Sequence, residues 1–281
     1  MYGALLGLGI MDLPGVSGEE QIRLFRKTGY EAFFVDWVKG MDLEGICRVA
    51  REENMIFQSI HAPFLKMADM WTKGSAADEA VQELIDCVRD CGKYQVPIMV
   101  VHAFIGFEEH SPNEYGVINF GKVVKEAEKC SVKIAFENTE GEEYLDALMQ
   151  AFAGSESVGF CLDTGHEMCY NYSKDLLAKY GDRLIATHIN DNLGISDCKG
   201  RIFWTDDLHL LPFDGIKDWQ DFAARLDRWG YEDILTFELT VKSKPNRHEN
   251  DGYAKMDVGE YLAESYKRAC RVAALRKYGN R

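Results

Sequence analysis

The chain contains no apolar run approaching the ~18 residues that a membrane span needs, so no membrane partner is expected. Its opening, MYGALLGLGIMDLPG, lacks the basic n-region of a secretory leader and meets Asp12 early. That opening reads instead as a first strand. No CxxC pair occurs among the eight cysteines, at 47, 87, 91, 130, 161, 169, 198 and 270. The usual thiolate zinc and redox motifs are thereby excluded, and reduced thiols in a cytoplasm are expected. Cys87 and Cys91 lie four apart in a helical pattern, where packing is expected rather than a bond. Basic residues are few beside acidic ones, with Lys plus Arg at 32, Asp plus Glu at 46 and a net charge of −14. Such a chain is repelled on average by nucleic acid, and no nucleic-acid partner is expected. No Gly-rich phosphate cradle, linker, low-complexity tract or sequence repeat is visible.

What the sequence does contain is alternation. Its 281 residues, 46% hydrophobic and 28% charged, suit one ordinary domain over 1–281. Strand-like runs fall at 2–9, 30–36, 56–61, 97–103, 132–138, 158–163, 184–190 and 234–240. Many, such as IMVVHAF and ILTFEL, are nearly continuous in apolar residues, as strands covered on both faces must be. Helical patterns follow them near 17–27, 42–53, 76–91, 119–130, 142–152, 173–180, 217–229 and 257–277. The first opens on a Ser-x-x-Glu capping box, Ser17 and Glu20, and stops at Gly29. Eight strands, each followed by a helix, predict an α/β fold, a (β/α)8 TIM barrel. Long connections at 62–75, 191–216 and 241–256 leave carboxyl ends of strands, where barrel active sites are built.

Those ends are where the polar residues collect. His61 (SIHAPF), His102 (VVHAF), Glu137 (IAFENTEG), Asp163 and His166 (CLDTGH), His188 and Asp191 (THINDN) and Glu238 (TFELT) close successive strands. Asp207 and His209 follow in DDLHLLPFDG. A lone histidine ending a buried strand is most often a hydrogen-bonded core residue. Carboxylates are different, because burying one unpaired costs several kcal/mol. So many carboxylates and imidazoles around one mouth need a cation, or shared protons, and a divalent metal is the simplest solution. Cys161 sits two residues before Asp163, on the same face but deeper, where core packing is expected.

The series HAPF, VVHAF, FENTEG, CLDTGH, HINDN, DLHLLPFDGIKDW and FELT resembles the xylose-isomerase-like TIM-barrel superfamily over nearly all the chain. That superfamily includes sugar phosphate isomerases and epimerases, inosose dehydratases and the endonuclease IV family. The resemblance implies metal ligands at Glu137, Asp163, His188 and Glu238. Their hard-oxygen, single-nitrogen set suits Mn²⁺, Zn²⁺ or Co²⁺, with Mg²⁺ less suited. His61, His102, His166, Asp207 and His209 match the further ligands of the three-zinc endonuclease IV cluster, and are additional metal or substrate candidates.

The reaction implied is isomerisation or epimerisation of a sugar or polyol, phosphorylated or not, through a metal-stabilised enediolate. Glu137 and Glu238, from opposite sides of the ring, would be the catalytic proton-transfer pair. Loss of a β-hydroxyl from the same species would make the protein a lyase or dehydratase. An endonuclease IV-like zinc phosphodiesterase is the alternative, and a barrel subunit of a hetero-complex is a further one; homo-oligomerisation is left open. Ketose 3-epimerases resembling this chain place an Arg six residues after the metal His; Gly194 stands there, with Arg201 a substitute further along. Trp37, Phe64, Phe104 and Trp204 are candidates for the apolar wall of a sugar site, and Glu143 for a hydroxyl acceptor. The basic stretch 241–255, with Lys242, Lys244, Arg247 and Lys255, could receive a phosphate or carboxylate.

Overall fold

The computed structural model describes residues 4–108 and 111–277. Eight strands form one parallel sheet: β1 (Leu6–Gly9), β2 (Ala32–Asp36), β3 (Ile56–His61), β4 (Ile98–His102), β5 (Lys133–Glu137), β6 (Val158–Asp163), β7 (Leu184–His188) and β8 (Leu235–Phe237). The hydrogen-bonded order runs β7-β6-β5-β4-β3-β2-β1-β8. A single parallel bridge, Ile189 to Phe237, brings β7 back to β8, so the sheet is a nearly closed TIM barrel, as the alternation predicts. Of the first strand expected at 2–9, residues 2–3 lie outside the described residues.

The helices are α1 (Gly18–Thr28), α2 (Leu43–Glu52), α3 (Ser75–Tyr94), α4 (Glu114–Cys130), α5 (Glu142–Ala151), α6 (Thr164–Cys169), α7 (Leu177–Tyr180), α8 (Trp219–Trp229) and α9 (Val258–Ala273). Their ends follow local chemistry. Ser17 Oγ accepts from the Glu20 amide at 3.2 Å, and Gly29 ends the same helix with φ of 125°, a conformation open to glycine. Asn113 caps α4 through the Tyr115 and Gly116 amides, so this helix starts earlier than its apolar periodicity suggests. Between β6 and β7 lie two short helices: α6, which the sequence did not signal, and α7, which covers only the end of the helix expected at 173–180. Asp163 caps the first, its Oδ1 accepting from the His166 amide at 2.6 Å. Six residues with Gly165 near the start carry too little periodicity to be read as a helix.

Along each strand, side chains alternate between the barrel interior and the surrounding helices. Ile98, Val100, Ala135, Cys161 and Ala186 form one buried interior cluster, with Cys161 below Asp163 as expected. The larger core, including Phe25, Leu84, Val88, Phe120, Phe136 and Phe222, lies between sheet and helices. Cys87 and Cys91 are buried there and free. No helix among the described residues is long and apolar enough to cross a membrane.

Candidate metal centre

Two-residue alternation carries the interior column of each strand up to its polar end. The column Ile98, Val100 finishes at His102, Ala135 at Glu137, Cys161 at Asp163 and Ala186 at His188. Register aligns these ends, with His102 opposite Glu137 and Asp163 opposite His188. At β2 the same alternation ends at Asp36, which pairs in register with His61. β1 ends at Gly9, which pairs in register with Phe34. A Cβ on Gly9 would lie 2.5 Å from the Phe34 ring, and that ring stacks on His188 with centroids 4.6 Å apart. Glycine therefore leaves room for the aromatic floor under His188.

Nine of the expected residues converge. Ligand atoms of Glu137, Asp163, His188 and Glu238 all lie within 4.8 Å of one another, and the same holds for His61, His102 and Glu137, and for His166, Asp207 and His209. Glu137 belongs to two of the groups. Its side chain is fully buried and meets His61 Nε2 at 3.2 Å, His102 Nε2 at 3.4 Å and His188 Nδ1 at 3.1 Å. Glu238 Oε2 approaches His188 Nδ1 from the other side at 3.0 Å. His209 Nε2 lies 2.8 Å from Asp207.

The surrounding hydrogen bonds orient these donors inward. His61 Nδ1 donates to the Ala62 carbonyl at 2.9 Å, and His166 Nδ1 to that of Asn138 at 3.0 Å. His209 Nδ1 reaches the Glu238 carbonyl at 3.3 Å. Each ring is thus held with its Nε2 facing the cluster, the orientation in which metal-binding imidazoles are held. Asn190 Nδ2 donates to Asp163 Oδ2 at 2.8 Å, His188 Nε2 is buried without a hydrogen-bond partner, and Asp207 Oδ1 faces His166 Nε2 at 3.5 Å. This donor set fits divalent cations. Asp191, by contrast, is structural: it accepts from the Phe213 and Lys217 amides and from Trp219 Nε1, and so ties down the seventh loop.

Burial opposes charge throughout the cluster, and the partners decide the outcome. Burial alone would neutralise His188, but Glu137 and Glu238 hold its pKa well above the usual imidazole value. His166 rises against its burial through Asp163 and Asp207, and Asp207 lifts the buried His209 to about 9. Burial pushes Glu238 up, yet His188 and His209 bring it down to about 2. Asp163 goes the other way, raised by burial to about 6, and burial lowers His102. Protonated imidazoles therefore balance the carboxylates in this arrangement. A divalent cation can replace those protons, which is how metal binding and pKa are linked.

A cleft of about 410 Å³ opens over the cluster, lined by Asp36, His61, His102, His166, Asp207, His209, Glu238 and Lys244. Phe64, stacked on His102 at 4.8 Å, and Trp204 form part of its wall, together with Phe107 and Tyr170. Glu137 is fully buried and does not line the cleft.

The other substrate candidates fall elsewhere. Trp37 is not in the cleft: Asp36 takes the inward position on β2, so Trp37 points outward, buried, with Nε1 donating to Asp90 at 2.8 Å. Phe104 is buried against Tyr144, rings 4.0 Å apart, and with Glu143 it borders a separate compartment. Arg201 turns to solvent and pairs with Asp197. Lys244 is the basic residue that reaches the cleft, 3.1 Å from Asp207 and over the Trp204 ring. Asp36, Glu140 and Tyr170 were not singled out by the sequence. Alternation from Phe34 would have found Asp36; nothing local marks the other two.

A family model described as "Xylose isomerase-like TIM barrel" matches residues 22–257. The uncharacterized protein y4fM of Sinorhizobium fredii (strain NBRC 101917 / NGR234) is 37% identical over 117 residues, which is 40% of this chain and 34% of that protein. The match thus spans about a third of that relative's length. Among solved structures, a xylose isomerase-like TIM barrel/4-hydroxyphenylpyruvate dioxygenase fusion protein superposes with a TM-score of 0.73 at 13% identity, over 96% of this chain and 43% of its own. The IOLI protein with a binding zinc atom gives 0.73 at 18% identity, over 98% and 99%. L-ribulose 3-epimerase gives 0.72 at 14%, over 96% and 95%. At these identities the likeness is one of fold.

Proposed function

The chain belongs to the xylose isomerase-like TIM barrel family, and from that premise we propose that it is a divalent-metal-dependent sugar or polyol isomerase or epimerase. The observation that carries this reading is the group Glu137, Asp163, His188 and Glu238, gathered at the carboxyl ends of β5 to β8 beneath an open cleft. These four residues would hold the ion. Mn²⁺, Zn²⁺ or Co²⁺ suits their mixed oxygen and nitrogen donors better than Mg²⁺. A bound divalent ion would supply Lewis-acid polarisation of a substrate carbonyl and its neighbouring hydroxyl.

The chain's own residues supply the rest. Glu238 borders the cleft with its side chain 23% exposed, and it takes the proton from the substrate C–H. Glu137 faces it across His188 and serves as the second carboxylate of the pair from the buried side. Lys244 and His166 hold substrate oxygens, and Phe64 and Trp204 pack the ring's apolar face and exclude water. Loss of a β-hydroxyl after the same proton abstraction would give a dehydratase. A screen of sugars and polyols for deuterium uptake from solvent, with protein loaded with Mn²⁺ or Zn²⁺, tests the proposal. Exchange at one carbon next to a carbonyl is expected for the true substrate; absence of exchange across aldoses, ketoses, inososes, their phosphates and their glycosides would overturn it.

A second reading has its own observation. The groups His61, His102, Glu137 and His166, Asp207, His209 flank the central one, so nine residues could hold three cations, as a zinc phosphodiesterase requires. Metal counting on protein purified with excess Zn²⁺ separates the two. About one tightly held ion per chain favours the sugar enzyme, and three favour the phosphodiesterase.

A further inference from the structure

The cleft above the metal candidates shares part of its aromatic wall with a neighbouring compartment. Phe107, Glu140 and Tyr170 line the cleft, and they also line this second compartment of about 230 Å³ farther out. The shared wall is continuous with the cluster. Tyr170 stacks on His166 with centroids 4.9 Å apart, and Phe107 meets Tyr170 edge-on at 5.7 Å. Beyond it, Tyr172 is 56% exposed and Phe107 43% exposed, an unusual openness for aromatic rings. Phe104 and Tyr144, stacked at 4.0 Å, border the same space.

The charged lining is mostly acidic. Glu108, Glu140, Glu142 and Glu143 border the compartment, and Lys174 is its one basic residue. Lys174 pairs with Glu142 at 2.5 Å, and Lys179 adds to that pair at 3.2 Å. Glu140, buried beneath the shared wall, accepts from the Gly106 amide at 2.9 Å. Carboxylates beside exposed aromatic faces suit a ligand with apolar C–H faces and many hydroxyl donors. They repel phosphate and carboxylate groups.

We propose that this outer compartment binds a second, uncharged sugar ring. The substrate is then a glycoside, with its reacting sugar over the metal candidates and its second ring against Phe107 and Tyr172, hydroxyls donating to Glu140 and Glu143. This extends the sugar-enzyme reading, and it accounts for Glu143 lying away from the metal-side cleft. It also places any anionic group of the substrate at the Lys244 end.

Calorimetric titration of the full chain loaded with Zn²⁺ tests the assignment. The probes are cellobiose, maltose, lactose, sucrose, trehalose and melibiose, each against its component monosaccharides. At least one disaccharide is expected to bind ten-fold or more tighter than either component. Tyr172→Ala and Glu143→Gln, which touch only the outer compartment, should each remove most of that gain and leave monosaccharide affinity unchanged. Tyr172→Phe should keep it. The assignment is overturned if no disaccharide exceeds its components, or if the variants weaken both ligand classes equally. A gain shown only by 4-nitrophenyl glucoside, and retained in Glu143→Gln, would also overturn it in favour of an aromatic aglycone. Turnover does not enter this measurement, so failure of the isomerase reading, seen by deuterium exchange, is separate from failure of the subsite.

Discussion

At the scale of single residues, Glu137 and Glu238 occupy different places although both close strands as glutamates. Glu137 is enclosed by imidazoles, whereas Glu238 reaches the cleft. Replacing Glu238 with Gln should lower turnover on the true substrate by about 10²–10⁴-fold, the range of a lost general base, while some metal is kept. Glu137→Gln should lower turnover at least as much and also loosen metal, because its carboxylate is shared between two ligand groups. Near-normal turnover in both variants would refute the two-carboxylate mechanism. Asp163→Asn removes a buried negative donor held by Asn190. Elemental analysis of that variant should show metal lost or bound far more weakly, and full occupancy would remove Asp163 from the ligand set. The places of these carboxylates were legible as strand ends, since a carboxylate closing an apolar strand is improbable without a partner. Their inequality was not, because it depends on how far each strand end stands from solvent.

Elements position the site through packing that local sequence hardly signals. β1 approaches the cluster with Gly9, and any Cβ there meets Phe34, the ring stacked on His188. Gly9→Ala should therefore destabilise the fold by about 1–3 kcal/mol, as overpacking does, and weaken metal binding as His188 shifts. Urea midpoints and metal titration together check this; an unchanged metal affinity would separate Phe34 from the site. On the opposite side, Glu167 of α6 fastens that short helix to α8. It accepts both Arg225 guanidinium nitrogens at 2.9 and 2.8 Å and Lys217 Nζ at 2.6 Å. Burial pushes its carboxyl up, but Lys217 and Arg225 outweigh this and bring its pKa down to about 2 from the ordinary 4.5. A depressed folded-state pKa means stability that is present above about pH 4.5 and lost as pH falls toward 2, about 3 kcal/mol in all. The stability gap between wild type and Glu167→Gln should be full at pH 6 and shrink below pH 4.5. A pH-independent gap would show that packing, not charge, holds α6.

On the scale of the whole molecule, the acidic balance and the barrel mouth act together. A charge of −14 opposes approach to a polyanion, and the described cleft carries only Lys244 as a lysine or arginine. Incision of abasic-site DNA in the presence of Zn²⁺ is therefore expected to be negligible. Efficient metal-dependent cleavage would promote the three-cation reading over the sugar enzyme, whatever the number of ligand groups. The barrel itself explains why both readings share one set of residues. Parallel strands deliver every carboxyl end to the same face, so a change of chemistry needs only a change in the loops above it.

The sequence by itself determined the barrel, the face on which its polar residues gather and the nine of them that meet there. Each rests on information carried within a few residues: apolar runs of strand length, helical periodicity after them, and charged groups that no buried strand end tolerates alone. Tertiary structure decided the rest. It alone grouped the nine into three sets sharing Glu137, turned Asp36 rather than Trp37 into the mouth, and joined Glu167 to Arg225 across 58 residues. It also set Tyr170 and Glu140 between two compartments. Those outcomes depend on strand register and on which loops pack together, and neither is encoded at short range.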